Sequence, residues 1–324
     1  MSVYPSHPLQ PQPPFGDDGG VASPIRHAAP GSVDIRTDRQ VIRAAGGSER
    51  FVLVELVAPT PARDAARRRT PVNLAFVLDR SGSMAGRGKL ELAKQGVLEA
   101  LDRLDPGDRF AIVTYDDHID VVVSSAPASP EARHMAARAL RAIEPRGSTD
   151  LAGGWLRGAE QVASHLGAGN VDRVLLLTDG LANVGITDPA VLAGHAAELR
   201  ARGIATSTIG VGEDFDESLL QAMADAGGGH FYFAGSLPEI RDHLTSEVGE
   251  ALEVVARDVV LTLTMPGATV RPLTPHPTDT FGDRTVVRLG ELVAGQLARC
   301  VLRVRFPSGP AGAEIGRASC RERV

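Results

Sequence analysis

The stretch Asn73-Leu74-Ala75-Phe76-Val77-Leu78-Asp79-Arg80-Ser81-Gly82-Ser83-Met84 decides the fold. Its apolar run has strand length and stops abruptly in a loop of acid, hydroxyl and glycine, as a strand buried on both faces does where its end reaches the surface. Beyond it the same alternation repeats. Strands are predicted at 74–78, 110–115, 119–123, 174–178, 205–209 and 231–233, and helices near 89–104, 130–142, 151–165, 189–202, 217–226 and 237–255. In the first helix Leu90, Leu92, Ala93, Val97, Leu98, Leu101 and Leu104 follow the helical period, leaving Glu91, Lys94, Glu99 and Arg103 for solvent. Strands alternating with amphipathic helices imply an α/β, doubly wound, mostly parallel sheet with helices on both faces. The pair at 110–123, joined by Asp116-Asp117-His118, is compatible with a hairpin that adds an antiparallel edge strand.

On either side of this block the pattern changes. Residues 1–31 hold seven prolines and few large apolar residues, which predicts a flexible arm. Short β-like runs at 33–42 and 51–57 follow, closed by an Arg/Pro-rich linker at 59–71 whose Arg67, Arg68 and Arg69 read as a solvated charge run. After Val255 the period returns to two, at 259–264, 285–289 and 297–306, the mark of antiparallel strands. The expected layout is an α/β domain over 72–255 flanked by segments of one small β-sandwich, 32–71 and 256–314. The last ten residues, 315–324 (IGRASCRERV), resemble the translation of a sequencing-library adapter. They are set aside, with the native chain expected to continue past about Glu314.

Composition narrows the function. With 34 basic against 40 acidic residues the net charge is −6, so no overall positive field draws the chain to nucleic acid. No apolar run reaches membrane-spanning length and no signal-peptide core is visible, which points to the cytoplasm. Two cysteines, Cys300 and Cys320, are too few for a disulfide framework or a zinc site. Of the 34 basic residues only Lys89 and Lys94 are lysines, a sign of GC-rich codon usage.

Chemistry concentrates where ligands bind in open α/β sheets, at the carboxyl ends of the strands. Three such ends are rich in oxygen: Asp79-Arg80-Ser81-Gly82-Ser83, Gly147-Ser148-Thr149-Asp150 and Thr178-Asp179-Gly180. Together they offer carboxylates and hydroxyls without sulfur or imidazole, a ligand set for a hard divalent cation, Mg²⁺ first, with Mn²⁺ or Ca²⁺ as alternatives. The spacing of Asp79, Ser81 and Ser83 lets one turn aim three side chains inward, with Gly82 relieving crowding. Arg80 and Asp150 flank the motif and read as solvated. Asp116, Asp117, Asp214, Asp216 and Glu217 offer a second cation set but suit loop and helix-start positions, and Trp155 suits the core.

This pattern resembles the von Willebrand factor type A domain with its metal-ion-dependent adhesion site, met in full by Asp79, Ser81, Ser83, Thr149 and Asp179 over roughly 72–255. The resemblance implies direct coordination through the three hydroxyls, with Asp79 and Asp179 acting through bound water. It also implies a partner protein whose Asp or Glu completes the shell. The layout is loosely similar to bacterial proteins with β-rich domains like those of inter-alpha-trypsin inhibitor heavy chains, and a shift of the last helix, 237–255, on ligand binding is a further expectation. Each element has a plainer role as well: Ser81 and Ser83 in a turn, Thr149 as an N-cap, Asp179 before a turn glycine. Enzymatic alternatives fit less well. An aspartyl-phosphate phosphatase wants a second acid where Ser81 stands. A serine hydrolase wants glycine at that same position, and no glycine-rich phosphate loop opens a helix. The expectation is a non-enzymatic, metal-dependent interaction module, the rival being a scaffold whose ion merely ties three loops.

Overall fold

The computed structural model describes residues 33–39, 42–60, 70–167, 169–212, 214–274, 276–309 and 317–323. The proline-rich arm and the Arg67–Arg69 run lie outside them.

The α/β unit carries a six-stranded sheet built from β3 (Val72–Asp79), β4 (Arg109–Tyr115), β5 (Ile119–Pro127), β6 (Val171–Thr178), β7 (Ile204–Val211) and β8 (Gly228–Ala234) in the order β5-β4-β3-β6-β7-β8. Every neighbouring pair is parallel except β4 with β5, so β5 is the antiparallel edge strand expected from the hairpin reading. All eight residues of β3 are buried. Side chains alternate across the strand: Ala75 and Val77 pack with Leu151, Trp155 and Val162 of α3 (Leu151–Ala163), in a cluster that also takes in α4 (Pro189–Ala201) and α5 (Glu217–Gly227). The opposite face is covered by α1 (Lys89–Leu101) and α6 (Leu237–Leu252), which pack on each other. Helix α2 (Pro130–Arg141) lies beside β5 and α1, started by the Ser129 hydroxyl accepting from Ala132 N. Trp155 is fully buried and donates Nε1–H to Thr206 Oγ1 at 3.2 Å, the packing role expected of it.

The chain crosses from one side of β3 to the other between β4 and β6. The switch point of the sheet therefore lies at the ends of β3 and β6, the crevice where open α/β sheets bind ligands.

Lys94 departs from the solvent-facing reading: it is buried, and its ammonium donates to Ile143 O at 2.5 Å and Glu91 Oε1 at 2.6 Å. A long aliphatic stem lets a lysine cover apolar surface while its head reaches a carbonyl, which periodicity alone does not anticipate.

The second unit is a β-sandwich. One sheet has the order β1-β2-β13-β10, from β1 (Val33–Thr37), β2 (Glu49–Val57), β10 (Thr269–Pro272) and β13 (Leu297–Arg305). The other is β11-β12-β9-β14, from β9 (Val254–Thr264), β11 (Thr278–Phe281), β12 (Arg284–Val293) and β14 (Arg317–Arg323). Segments from before and after the α/β unit interleave, since β2 pairs with β13 from Val57↔Leu297 to Glu49↔Arg305. Val52, Val54, Leu302 and Val304 of one sheet close a core with Leu261, Leu263 and Val287 of the other. Strand β14 lies in the stretch set aside above. Its pairing with the edge of β9 is a main-chain ladder, which any sequence without proline can supply. No helix among the described residues is long and apolar enough to cross a membrane.

Candidate metal centre

Asp79 ends β3 and Asp179 follows β6, so the sheet brings the two carboxylates together with no help from their own loops. Both are fully buried. Asp79 Oδ1 accepts from Ser81 N at 2.7 Å and its Oδ2 from Thr178 Oγ1 at 2.6 Å. Ser81 Oγ and Ser83 Oγ lie 3.0 Å apart, and Ser83 Oγ donates to Asp179 Oδ1 at 2.6 Å. A methyl group on Gly180 would sit 3.6 Å from both Ser83 Oγ and Thr149 Oγ1, so the hydroxyls of the first and second loops face one point beside the third. Ser81 and Thr149 are buried, whereas Ser83 is exposed and opens the cluster to solvent. All five residues singled out from the sequence thus gather at the switch point.

Burial pushes the Asp79 carboxyl up to about 6, with the nearby Asp179 charge adding to the rise and the bonds from Thr178 and Ser81 working against it. Of the two buried carboxylates, only Asp179 has a cationic side chain on it among the described residues, Lys89. The donor set, hydroxyls and carboxylates alone, suits a hard divalent ion.

The supporting loops are joined directly. Arg80 N donates to Tyr115 O at 2.9 Å, Arg146 N to Arg80 O at 2.7 Å and Gly82 N to Gly147 O at 3.2 Å. Arg80 and Arg146 both donate through Nε to Asp116 Oδ2, at 3.1 and 2.7 Å, and Arg80 also reaches Asp120 Oδ2 at 2.6 Å. Burial alone would raise the Asp116 carboxyl, but the bonds from Arg146, His118 N and Arg80 hold it below the ordinary carboxylate value. Arg80 is therefore a buried strut, which corrects the solvated reading. A guanidinium's fixed fork can serve two carboxylates at once. Asp150 is likewise half-buried and caps α3, accepting from Gly153 N at 2.9 Å, the capping role weighed above for Thr149. Thr149 is instead held by its backbone: its N–H donates to Asn183 Oδ1 at 3.1 Å, and its carbonyl accepts from Val184 N at 3.2 Å.

Asp116, Asp117 and His118 stand close enough to share an ion, but Asp116 is engaged by the arginines as described. Asp216 is the N-cap of α5, accepting from Leu219 N at 3.0 Å. The relief of crowding assigned to Gly82 falls on a neighbour. A Cβ at Gly82 would meet only Gly147 O at 3.6 Å, whereas Gly147 has φ +70° and a Cβ there would lie 2.0 Å from Asp117 Oδ1. Gly147→Ala is expected to cost about 1–2 kcal/mol from the left-handed backbone, and to weaken any metal-induced stabilisation by moving Thr149. Denaturant unfolding with and without Mg²⁺ measures both effects, and a variant indistinguishable from wild type in each refutes them.

Sequence reasoning placed Thr178 in the third oxygen-rich loop without seeing its bond to Asp79, and missed the roles of Asn183 and Lys89. Lys89 Nζ donates to Asp179 Oδ2 at 2.5 Å. The one signal available for Lys89 is compositional, a lysine six residues beyond Ser83 in a chain whose basic residues are otherwise nearly all arginine.

A doubly wound α/β domain with an all-oxygen cluster at its switch point defines the class. Residues 73–247 match the von Willebrand factor type A domain, and the chain belongs to that family. It is 32% identical over 200 residues to YfbK of Escherichia coli, covering 61% of this chain and 34% of YfbK. It is 28% identical over 274 residues to sll0103 of Synechocystis, covering 80% of this chain and 62% of that protein. Human inter-alpha-trypsin inhibitor heavy chain H4 is 30% identical over 165 residues, 49% of this chain and 18% of the heavy chain. The chain thus spans less than two thirds of each of these relatives. Among solved structures, a von Willebrand factor type A protein from Catenulispora acidiphila superposes with a TM-score of 0.75 at 22% identity, over 92% of this chain and 71% of that one. The ArnB paralog VWA2 from Sulfolobus acidocaldarius gives 0.57 at 14% identity, over 89% and 74%. These two likenesses are of fold.

Proposed function

We propose that the α/β unit is a non-enzymatic, metal-dependent protein-interaction module. A divalent cation, Mg²⁺ first, is held directly by Ser81, Ser83 and Thr149, with Asp79 and Asp179 in support through water, and an Asp or Glu of a partner protein completes the shell. Domains of this family serve in protein–protein interaction, often through a divalent metal at this motif. For this chain the observation that carries the reading is the convergence of two buried carboxylates and three hydroxyls at the switch point, with only Ser83 turned to solvent. Mostly neutral direct ligands would leave the ion short of negative charge, so that a carboxylate is the natural guest.

The rival scaffold reading, in which the ion only ties loops, is disfavoured because those loops are already joined by Gly82 N to Gly147 O, Arg146 N to Arg80 O and Thr149 N to Asn183 Oδ1. The loop after β6 also exposes Leu181, Val184 and Ile186 beside the cluster, apolar surface of the kind that interface cores use. The deciding experiment is capture of a partner from the native host in Mg²⁺, eluted with EDTA. Capture is expected to be lost for Asp79→Ala. A partner retained through EDTA, or by Asp79→Ala, overturns the proposal. Loop variants that lose metal and stability together while wild type captures no protein favour the scaffold.

A further inference from the structure

Lys89 is the first residue of α1, where the positive end of the helix dipole disfavours a cation. Arg87 (φ 55°) and Gly88 (φ 74°) just before it are both left-handed, so the chain reverses and returns the Lys89 side chain toward the end of β6. There its ammonium sits 2.5 Å from Asp179 Oδ2, with only 15% of the side chain exposed and the carboxylate fully buried. Ser83 Oγ takes the other oxygen of the same carboxylate at 2.6 Å. Asp179 is therefore clamped between a hydroxyl of the cluster and a fixed positive charge, while Asp79 has no cationic side chain on either oxygen among the described residues.

We infer that Lys89 is a built-in counter-charge of the metal centre: it holds the Asp179 carboxylate in place before the ion arrives, lowers the affinity for a divalent cation, and leaves the loaded site positive. Two carboxylates alone would neutralise a divalent ion, and a neutral site has no long-range attraction for an acidic guest. With the ammonium added, the loaded site keeps a net positive charge in a sheltered place where charges are poorly screened. Lys89 thus trades cation affinity for anion affinity. It also makes occupancy depend on the surrounding metal concentration. Ion and ammonium compete for one carboxylate, so removing the ammonium strengthens the ion's hold.

This inference rests on the metal-site reading above, and the experiment separates the two. Mn²⁺ alone is titrated into wild type, Lys89→Gln, Lys89→Met and Lys89→Arg by calorimetry at low ionic strength, with circular dichroism to confirm folding and melts with and without Mn²⁺. The neutral variants are expected to bind Mn²⁺ about tenfold tighter than wild type or more, to melt lower without the ion, and to gain more from it. Lys89→Arg, which keeps the charge, is expected to stay within a few-fold of wild type. Wild type that binds Mn²⁺ as well as folded Lys89→Gln or Lys89→Met overturns the role of Lys89 and leaves the metal site standing. Absence of Mn²⁺ binding in wild type and neutral variants alike overturns both.

Discussion

Glu247→Gln is expected to lower the thermal midpoint of the α/β unit by about 10 °C. Glu247 is fully buried on α6 and joins four residues of the sheet: the Arg173 guanidinium of β6, Ser207 Oγ of β7 at 2.5 Å, and His230 Nδ1 at 3.3 Å and Tyr232 Oη at 2.7 Å of β8. Arg173 is buried as well. Breaking a buried ion pair by neutralising one member costs about 3–5 kcal/mol, since the remaining charge stays in a low-dielectric place. For a unit of this size each kcal/mol moves the midpoint by roughly 2–4 °C. Glutamine keeps hydrogen-bonding atoms in place, so the lower end of the energy range applies. A calorimetric scan is the check, and a midpoint within 2–3 °C of wild type, taken as about 1 kcal/mol, would mean that Arg173 finds equivalent partners.

The same cluster sets a pH signature. Burial by itself would raise the Glu247 carboxyl, but the Arg173 charge and the bonds from His230 and Ser207 outweigh it and hold it far below its ordinary 4.5. A depressed carboxylate contributes stability that is present above 4.5 and is lost as the pH falls through its folded value. His230, half-exposed, is raised above 6.5 chiefly by its hydrogen bond to Glu247, against the cost of burial. Its contribution is complete below 6.5 and fades as the pH rises through its folded value. Both contributions are full between about 4.5 and 6.5. The share of stability that this cluster supplies, read as the difference between wild type and Glu247→Gln, is therefore expected to fall on either side of that window. That fall comes on top of the loss that ionising the raised Asp79 brings as the pH climbs toward about 6.

Gly154→Val is expected to be comparably damaging, for a reason of volume rather than charge. A Cβ at Gly154 in α3 would lie 2.4 Å from Cγ of Tyr115, 2.5 Å from its Cδ1 and 2.7 Å from its Cβ. Tyr115 is fully buried and its phenol donates to Leu177 O at 3.4 Å, so the ring has nowhere to retreat. Overpacking of this kind costs about 1–3 kcal/mol where side chains can shift and more where they cannot. The Tyr115 carbonyl also holds Arg80 N at 2.9 Å, and α3 begins directly after Thr149-Asp150. Displacement of α3 is thus expected to reach the metal centre, with a fall in melting temperature accompanied by loss of Mg²⁺-induced stabilisation. Melts with and without Mg²⁺ read both, and a variant that melts low yet keeps its full Mg²⁺ response would show that the site tolerates movement of α3.

Much of this architecture was legible in the residues. The run at 74–78 predicted β3, observed as Val72–Asp79, and the predicted helix at 151–165 is α3 at Leu151–Ala163. The boundary between 237–255 and 259–264 was misread on both sides: α6 stops at Leu252, three residues early, and β9 begins at Val254, five residues early. The apolar pair Val254-Val255 continues the helical stripe and also begins the strand, so period alone cannot divide them. Asp79, Ser81, Ser83 and Asp179 were found because they follow apolar strands at a place where the fold class puts ligands. Thr149, read as lying beyond a strand end, sits instead on the loop from α2 to α3 and was found through the family pattern.

Periodicity and propensity are local, so the order of amino acids by itself determined the layering of strands and helices and the oxygen-rich loops at their ends. Ion-pair partners are not local. Lys89 and Asp179 are 90 residues apart, and Arg173 and Glu247 are 74 apart. Glu247 left only a faint mark, an acid beside the buried stripe of Ile240, Leu244, Val248 and Ala251. Which charge neutralises which depends on distances of a few ångströms across the sheet, because attraction between charges in a buried place is steep in separation and blind to chain order. Only the packed tertiary structure made those choices.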